Sequence, residues 1–188
     1  TGIDRGVINA NSTYVNTDSI QVADRTIHNA SRGQTGTITM QHALNWSLNT
    51  GMVTIGERLG NGSEINLNAR KTIYDYLHNK FRLGEKTGIE LAGEEQGQII
   101  SPDNVQGNAV RYSNMTFGQG MNPTMVQVAA GFSSIVNGGE YYKPTVIAGE
   151  IDKDGDFKPQ EPPKPTHRTI SKSASKHAKQ MIHNARAA

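Results

Sequence analysis

Apolar residues recur at helical spacing in four stretches of this chain, and glycine-rich or polar segments separate them. In "TITMQHALNWS", Thr39 suits a helix N-cap, and Met40, Ala43, Leu44 and Ser47 fall on one face. Past the tripeptide Ser47-Leu48-Asn49, Met52, Val53, Ile55 and Leu59 continue a helical pattern that Gly60 and Gly62 end. "LNARKTIYDYLHNKF" predicts a second helical stretch through Ala69, Ile73, Tyr76, Leu77 and Phe81. In "NPTMVQVAAGFSSIVNGG", Asn122 is the expected cap and Pro123 the first helical residue, and Asn137-Gly138-Gly139 is the stop. Met125, Val128, Ala129, Phe132, Ile135 and Val136 are its expected buried stripe. The last helix, in "ISKSASKHAKQMIHNARAA", places Ala174, Ala178, Met181, Ile182 and Ala185 on one side.

Between these helices the pattern changes. "TGIELAGEEQGQII" is too rich in glycine for a helix and reads as extended chain and turns. "YYKPTVIAGEIDKDGDFK" predicts two strands around an Asp154-Gly155 turn, and "PQEPPKP" a stiff, extended linker. Residues 1–38 are expected to be loops and short strands, 39–137 a helical lobe, 138–165 the hairpin and proline-rich linker, and 166–188 the C-terminal helix. The fold class expected from this pattern is mostly α with a small β-hairpin.

The 188 residues suffice for one domain with a sizeable core, and 35% apolar with 19% charged residues is a polar but globular balance. A net charge of +2, with no basic run interleaved with aromatics, gives no footprint for nucleic acid. The absence of cysteine excludes disulfides, thiolate catalysis and Cys-ligated zinc. No apolar run approaches the roughly 18 residues of a membrane helix, and the opening "TGIDRGVINANSTY" carries neither an initiating methionine nor a signal-peptide pattern. The chain therefore reads as an internal piece of a longer protein. His177 and His183 fall on different faces of their helix and no HExxH occurs, so neither a metal nor a cofactor is expected.

Three short motifs remain. Ser47-Leu48-Asn49 places two small polar side chains beside Gly51, which suits either a bend between helices or half of an active site. Lys86-Thr87-Gly88 spells KTG, and Ser173 to Lys176 spells SxxK. SxxK, SxN-type and KTG elements together mark penicillin-binding proteins and class A β-lactamases, where a lysine activates a serine nucleophile.

The segments around these motifs resemble the transpeptidase domain of class B penicillin-binding proteins. "GTITMQHALNWSLNTGMVTIGERLG" is similar to the family's SxN region, "YDYLHNKFRLGEKTGIELAGEEQG" to the helix and glycine-rich turn after it, and "NMTFGQGMNPTMVQVAAGFSSIVNGGEYYKPTVI" to its FGQG loop, capped helix and exit. The similarity runs over most of residues 1–150. Two departures matter. The order of SxxK at 173–176 is wrong for the family, whose nucleophile precedes the SxN element. The KTG at 86–88 precedes FGQG, where the family has a non-catalytic "TGI.L.GE" turn, and "KTGIELAGE" matches that turn.

The resemblance implies a mostly α chain with a small β-hairpin, the helical lobe of the α/β transpeptidase (serine β-lactamase-like) fold, with the main antiparallel sheet largely outside the chain. It implies a serine D,D-transpeptidase that cross-links peptidoglycan stem peptides ending in D-Ala-D-Ala and binds β-lactams. Ser47 and Asn49 are the catalytic candidates: Ser47 as proton relay, Asn49 as amide toward substrate and lysine. Without an SxxK and a catalytic KTG in the family's order, the chain alone is expected to be inactive. The implied location is the extracytoplasmic face of the bacterial membrane, anchored by a segment outside this chain. Cell-wall synthesis or division proteins are the implied partners. Two other readings stand beside this one: a non-catalytic scaffold of the division machinery, and a β-lactam sensor or β-lactamase-type domain.

Overall fold

The computed structural model describes residues 1–187; Ala188, the end of the expected C-terminal segment, lies outside the described residues. The chain enters through two nested antiparallel ladders. β1 (Thr13–Asn16) pairs with β4 (Gly36–Thr39), and between them β2 (Ser19–Val22) pairs with β3 (Arg25–His28). Asp18 and Ala23 make the tight corners, both with positive φ. β4 runs directly into α1 (Met40–Asn45), where the Thr39 hydroxyl accepts from the His42 N–H as the sequence led us to expect.

α2 (Asn49–Arg58) follows α1 after three residues and lies at the centre of the lobe. Its Val53 is fully buried with Val22 and Ile27 of the β2–β3 hairpin. Two glycines let neighbours approach it. A Cβ on Gly51 would lie 2.6 Å from that of Ala43 in α1, and one on Gly56 2.5 Å from the Ile65 side chain. The sequence suggested that Gly51 permits a bend. It instead has ordinary helical geometry inside α2 and serves close packing against α1.

The stretch expected as one helix over 67–81 is α3 (Leu67–Tyr74) followed by a π-helical turn, Asp75–Lys80. The expected apolar positions do pack, with Ala69, Ile73, Tyr76 and Phe81 buried in the largest core cluster. The widened turn has evident partners: the Tyr76 hydroxyl donates to Asp4, and the Lys80 ammonium lies 3.8 Å above the Tyr76 ring. α4 (Ala109–Met115), which the apolar pattern did not predict, is short and capped by Asn108.

α5 (Met125–Val136) corrects two expectations. Its cap is Thr124, two residues after Asn122, in a capping box with Gln127. Its buried face is Gln127, Ala130, Gly131 and Ser134, while Met125, Val128 and Phe132 are exposed. Met125, Val128, Ala129 and Phe132 of the expected stripe thus face outward while Ile135 packs against the main core, because the inner face meets the Phe81 backbone, Leu83 and the glycine-rich loop. Gln127 is fully buried. Its Oε1 accepts from Gly84 N–H at 3.0 Å, and its Nε2 donates to the carbonyls of Glu85 and Gln96, each at 2.7 Å.

Beyond α5, the hairpin of β6 (Gly149–Ile151) and β7 (Phe157–Pro159) turns at Asp154-Gly155 as expected. The sequence offered only this hairpin beyond the N-terminal segment. A further pair, β5 (Glu140–Tyr141) with β8 (His167–Arg168), brings the described residues to four two-stranded ladders. Elements of two residues are too short to show an alternating pattern. α6 (Lys172–Arg186) buries Ala174 and Met181 from its predicted stripe. It also buries Ser175, which accepts from Gly138 N–H and donates to Ile135 O at the end of α5.

Replacing Gln127 with leucine strips partners from four backbone groups, the N–H of Gly84 and of Thr124 and the carbonyls of Glu85 and Gln96, and a buried group left unsatisfied costs about 1–3 kcal/mol. Gln127→Leu is expected to destabilise the fold by at least ~3 kcal/mol in chemical denaturation. Thr124→Ala, which removes one cap bond, should cost about 1 kcal/mol. A leucine variant no less stable than the alanine variant contradicts the role assigned to Gln127.

Candidate active site

The Ser47-Leu48-Asn49 stretch reverses the chain between α1 and α2. Trp46 closes α1, and Ser47 takes a left-handed conformation at φ +51°. The Ser47 N–H then donates to Leu44 O at 3.1 Å and the Leu48 N–H to Ala43 O at 2.8 Å. This is a Schellman closure, with Leu48 fully buried beside Ala43 as its apolar clasp. Glycine is the usual residue at the left-handed position, since an L side chain there costs roughly 1–2 kcal/mol. Ser47 takes this conformation with its side chain exposed.

Asn49 is the first residue of α2, and its Nδ2 donates to the His28 carbonyl at the end of β3, at 2.9 Å. One N–H of the amide is thereby fixed. The other N–H and Oδ1 have the capacity to meet a ligand, as donor and acceptor. Behind it lies a buried polar cluster. The Thr50 N–H donates to Asn29 Oδ1 at 3.0 Å, and the Thr50 hydroxyl to Asn16 Oδ1 at 2.8 Å. The Tyr14 hydroxyl lies 3.0 Å from Thr50 Oγ1, and since the Thr50 proton goes to Asn16, Tyr14 donates. Burial raises the Tyr14 pKa above the ordinary tyrosine value.

Asp18 anchors the cluster from its edge. Its carboxylate accepts from Gly33 N–H at 2.7 Å and from the amides of Asn29 and Asn16. Those donors, the Gly33 N–H foremost, hold the Asp18 pKa below the usual carboxylate value. Tyr14, Asn16, Asn29 and Thr50 were not singled out by the sequence. Tyr14, Asn16 and Asn29 sit in a stretch expected to be loops and short strands, and only their convergence with Thr50 at the start of α2 brings them together.

The other motifs make different contacts. Lys86 is exposed on a turn, and the KTG backbone wraps a carboxylate: Thr87 donates through N–H and hydroxyl to Glu94 Oε1, each at 2.6 Å, and Gly88 N–H to Oε2 at 3.0 Å. The Thr87 hydroxyl is the chief cause of a lowered Glu94 pKa. In SxxK at 173–176, the exposed Ser173 hydroxyl lies 3.5 Å from His177 Nδ1, and Lys176 is exposed on α6. The FGQG loop follows α4 with positive φ at Gly118 and Gly120, and Arg111 fastens it by donating to Gly120 O. Its Phe117 packs against the cluster that holds Val53, so this loop and the SxN turn share α2 as support.

Comparison with known proteins agrees with this architecture. Residues 1–188 match the family model of the penicillin-binding protein transpeptidase domain. The penicillin-binding protein PbpB of Mycobacterium tuberculosis is 28% identical over 164 residues, which is 87% of this chain and 22% of that protein. The stage V sporulation protein D of Bacillus subtilis is 35% identical over 121 residues, 64% of this chain and 17% of that protein. Among solved structures, penicillin-binding protein 3 of M. tuberculosis in complex with aztreonam superposes with a TM-score of 0.80 at 25% identity, covering 98% of this chain and 38% of that one. Penicillin-binding protein 2X of Streptococcus thermophilus gives 0.81 at 25% identity, covering 96% and 25%. The chain thus spans about a fifth of the two relatives' own length. It belongs to the penicillin-binding-protein transpeptidase family.

Proposed function

We propose that this chain carries the SxN part of a serine acyl-transfer site that cross-links peptidoglycan stem peptides. The observation that carries the reading is the Ser47–Asn49 turn, a left-handed serine with an exposed side chain, next to an asparagine amide fixed by a strand carbonyl. In this reading a serine activated by a lysine attacks the D-Ala-D-Ala carbonyl, forms an acyl-enzyme and releases the terminal D-alanine. An amine of a neighbouring stem then takes the acyl group. Ser47 relays a proton between that lysine and the leaving amine, since a hydroxyl donates and accepts at once. Asn49 offers its free N–H to the substrate's peptide carbonyl and Oδ1 toward the lysine.

The nucleophile and its lysine come from outside the motifs of this chain, because the SxxK on α6 and the KTG that wraps Glu94 stand in the wrong order for the family. The outward face of α5, with Met125, Val128 and Phe132, is covered in the whole protein by the main antiparallel sheet. No helix among the described residues is long and apolar enough to cross a membrane. The whole protein works at the extracytoplasmic face of the bacterial membrane on D-Ala-D-Ala stems, and it takes β-lactams as substrate mimics. The superposition on a penicillin-binding protein complexed with aztreonam supports the last assignment.

Fluorescent penicillin is the direct test. The chain of residues 1–188 alone should form no covalent adduct visible in a denaturing gel, and the full-length protein should label. In the full-length protein, Ser47→Ala and Asn49→Ala should slow acylation by about 10²–10⁴, while Lys86→Ala stays within a few fold. Silence of Ser47→Ala with loss at Lys86→Ala would invert the motif assignment.

Ser47→Gly separates strain from chemistry. Relief of the left-handed side chain, offset by the unfolded-state entropy of glycine, should raise stability by roughly 0.5–1 kcal/mol. Acylation should fall as far as in Ser47→Ala. A glycine variant that is more stable and fully active would show that the hydroxyl has no part in the reaction.

A further inference from the structure

α2 starts without a cap of its own. The residue at its N-cap position is Leu48, which makes no side-chain capping bond and is fully buried as the clasp of the preceding turn. The helices α1, α3, α4, α5 and α6 carry Thr39, Asn66, Asn108, Thr124 and Ser171 at that position, each accepting from its own first turn. At α2 the bond exists but comes from elsewhere in the chain. Asn29 Oδ1 accepts from the N–H of Thr50, the second residue of the helix, at 3.0 Å. That is the bond a local cap makes.

We propose that Asn29 is the positioning residue of the SxN element: it caps α2 from the residue that follows β3 and thereby sets the amide of Asn49. The grip is pairwise. The His28 carbonyl holds Asn49 Nδ2, and the Asn29 side chain holds the Thr50 backbone, so two consecutive residues at the end of the hairpin fix two consecutive residues at the helix start. The His28 contact dictates which end of the Asn49 amide faces the hairpin, and therefore which end faces away.

Asn29 is itself fixed on every side. It is 3% exposed. Its N–H donates to Asp18 O at 3.0 Å, and its Nδ2 to Asn16 Oδ1 at 3.2 Å and Asp18 Oδ1 at 3.4 Å. Asn16 closes the ring by accepting the Thr50 hydroxyl. An asparagine suits this place because it needs one acceptor toward the helix and two donors toward Asn16 and Asp18. Leucine of similar size offers neither. Aspartate keeps the acceptor but sets a second carboxylate beside Asp18.

The effect on reaction rate rests on the transpeptidase reading above; the capping does not. Both are measured on the full-length protein. Hydrogen exchange over the peptide that contains Thr50 reads the cap, and the acylation rate constant at saturating fluorescent penicillin, taken with the dissociation constant of the preceding complex, reads the positioning. Asn29→Leu is expected to speed exchange at Thr50 by about tenfold and to lower the acylation rate constant by roughly 10–100-fold. Asn29→Asp combined with Asp18→Asn exchanges amide and carboxylate, and should return both readouts to within several fold of the parent. If the leucine variant aggregates, Asn29→Ala makes the same comparison.

Unchanged exchange at Thr50 overturns the cap. Faster exchange with an unchanged acylation rate makes Asn29 a structural cap only and overturns the positioning role, as does failure of the exchanged pair to restore the rate. An unlabelled parent protein overturns the transpeptidase reading and the positioning role together, and the exchange arm then still decides the cap.

Discussion

The reversal between α1 and α2 is made in three residues, and much of the surrounding structure answers its demands. A helix that ends in a Schellman closure needs a left-handed residue and then an apolar one that folds back onto its last turn. Here those are Ser47 and Leu48. The next helix begins at once, so the residue that would cap it is already committed to the core. The two requirements conflict at Leu48. The conflict is resolved by moving the cap of α2 onto Asn29, which requires the β2–β3 hairpin to dock against the start of the helix.

That solution brings polar groups into the interior. Asn16, Asn29 and Thr50 are each 3% exposed or less. Such a cluster is costly unless complete, because each unpartnered group carries a penalty of about 1–3 kcal/mol. In this one Asn16 Oδ1 accepts three donors, and its Nδ2 reaches both Asp18 and Gln34 O. A satisfied network of this kind permits one geometry where an apolar contact would permit several. In the proposed reading, that is the property a turn needs to present a hydroxyl and an amide at fixed places.

Much of this was legible in the sequence, and the failures have a common cause. Thr39 as a cap, the extended 87–100 stretch, the Asp154-Gly155 turn and the α6 stripe follow from local signals, and the structure shows each. The Ser47-Leu48-Asn49 motif was visible as a motif. Its supporting cluster was not, since Asn29 and Thr50 are 21 positions apart and neither has a local signature. α5 was misread for a related reason. Periodicity finds the apolar face of a helix and assumes that it is the buried one. Gln127 contradicts the assumption because the glycine-rich loop beside it has backbone groups to satisfy and no regular ladder of its own.

The inverted face of α5 carries one more step. Gly131 brings the helix close to the Phe81 backbone: a Cβ there would sit 3.3 Å from the Phe81 carbonyl oxygen. Large residues on this side would force the helix away and break the bonds of Gln127. The small and polar side is thus fixed by the inner contact, and Met125, Val128 and Phe132 have only the outer side left. A helix that packs along one side and carries an apolar face on the other is the mark of an element between two layers. The lobe described here supplies one layer. In the proposed reading the second is the main antiparallel sheet of the transpeptidase fold. Gln127 then does more than satisfy a loop: it sets the roll of α5 about its axis, and so determines which residues the lobe offers to that sheet.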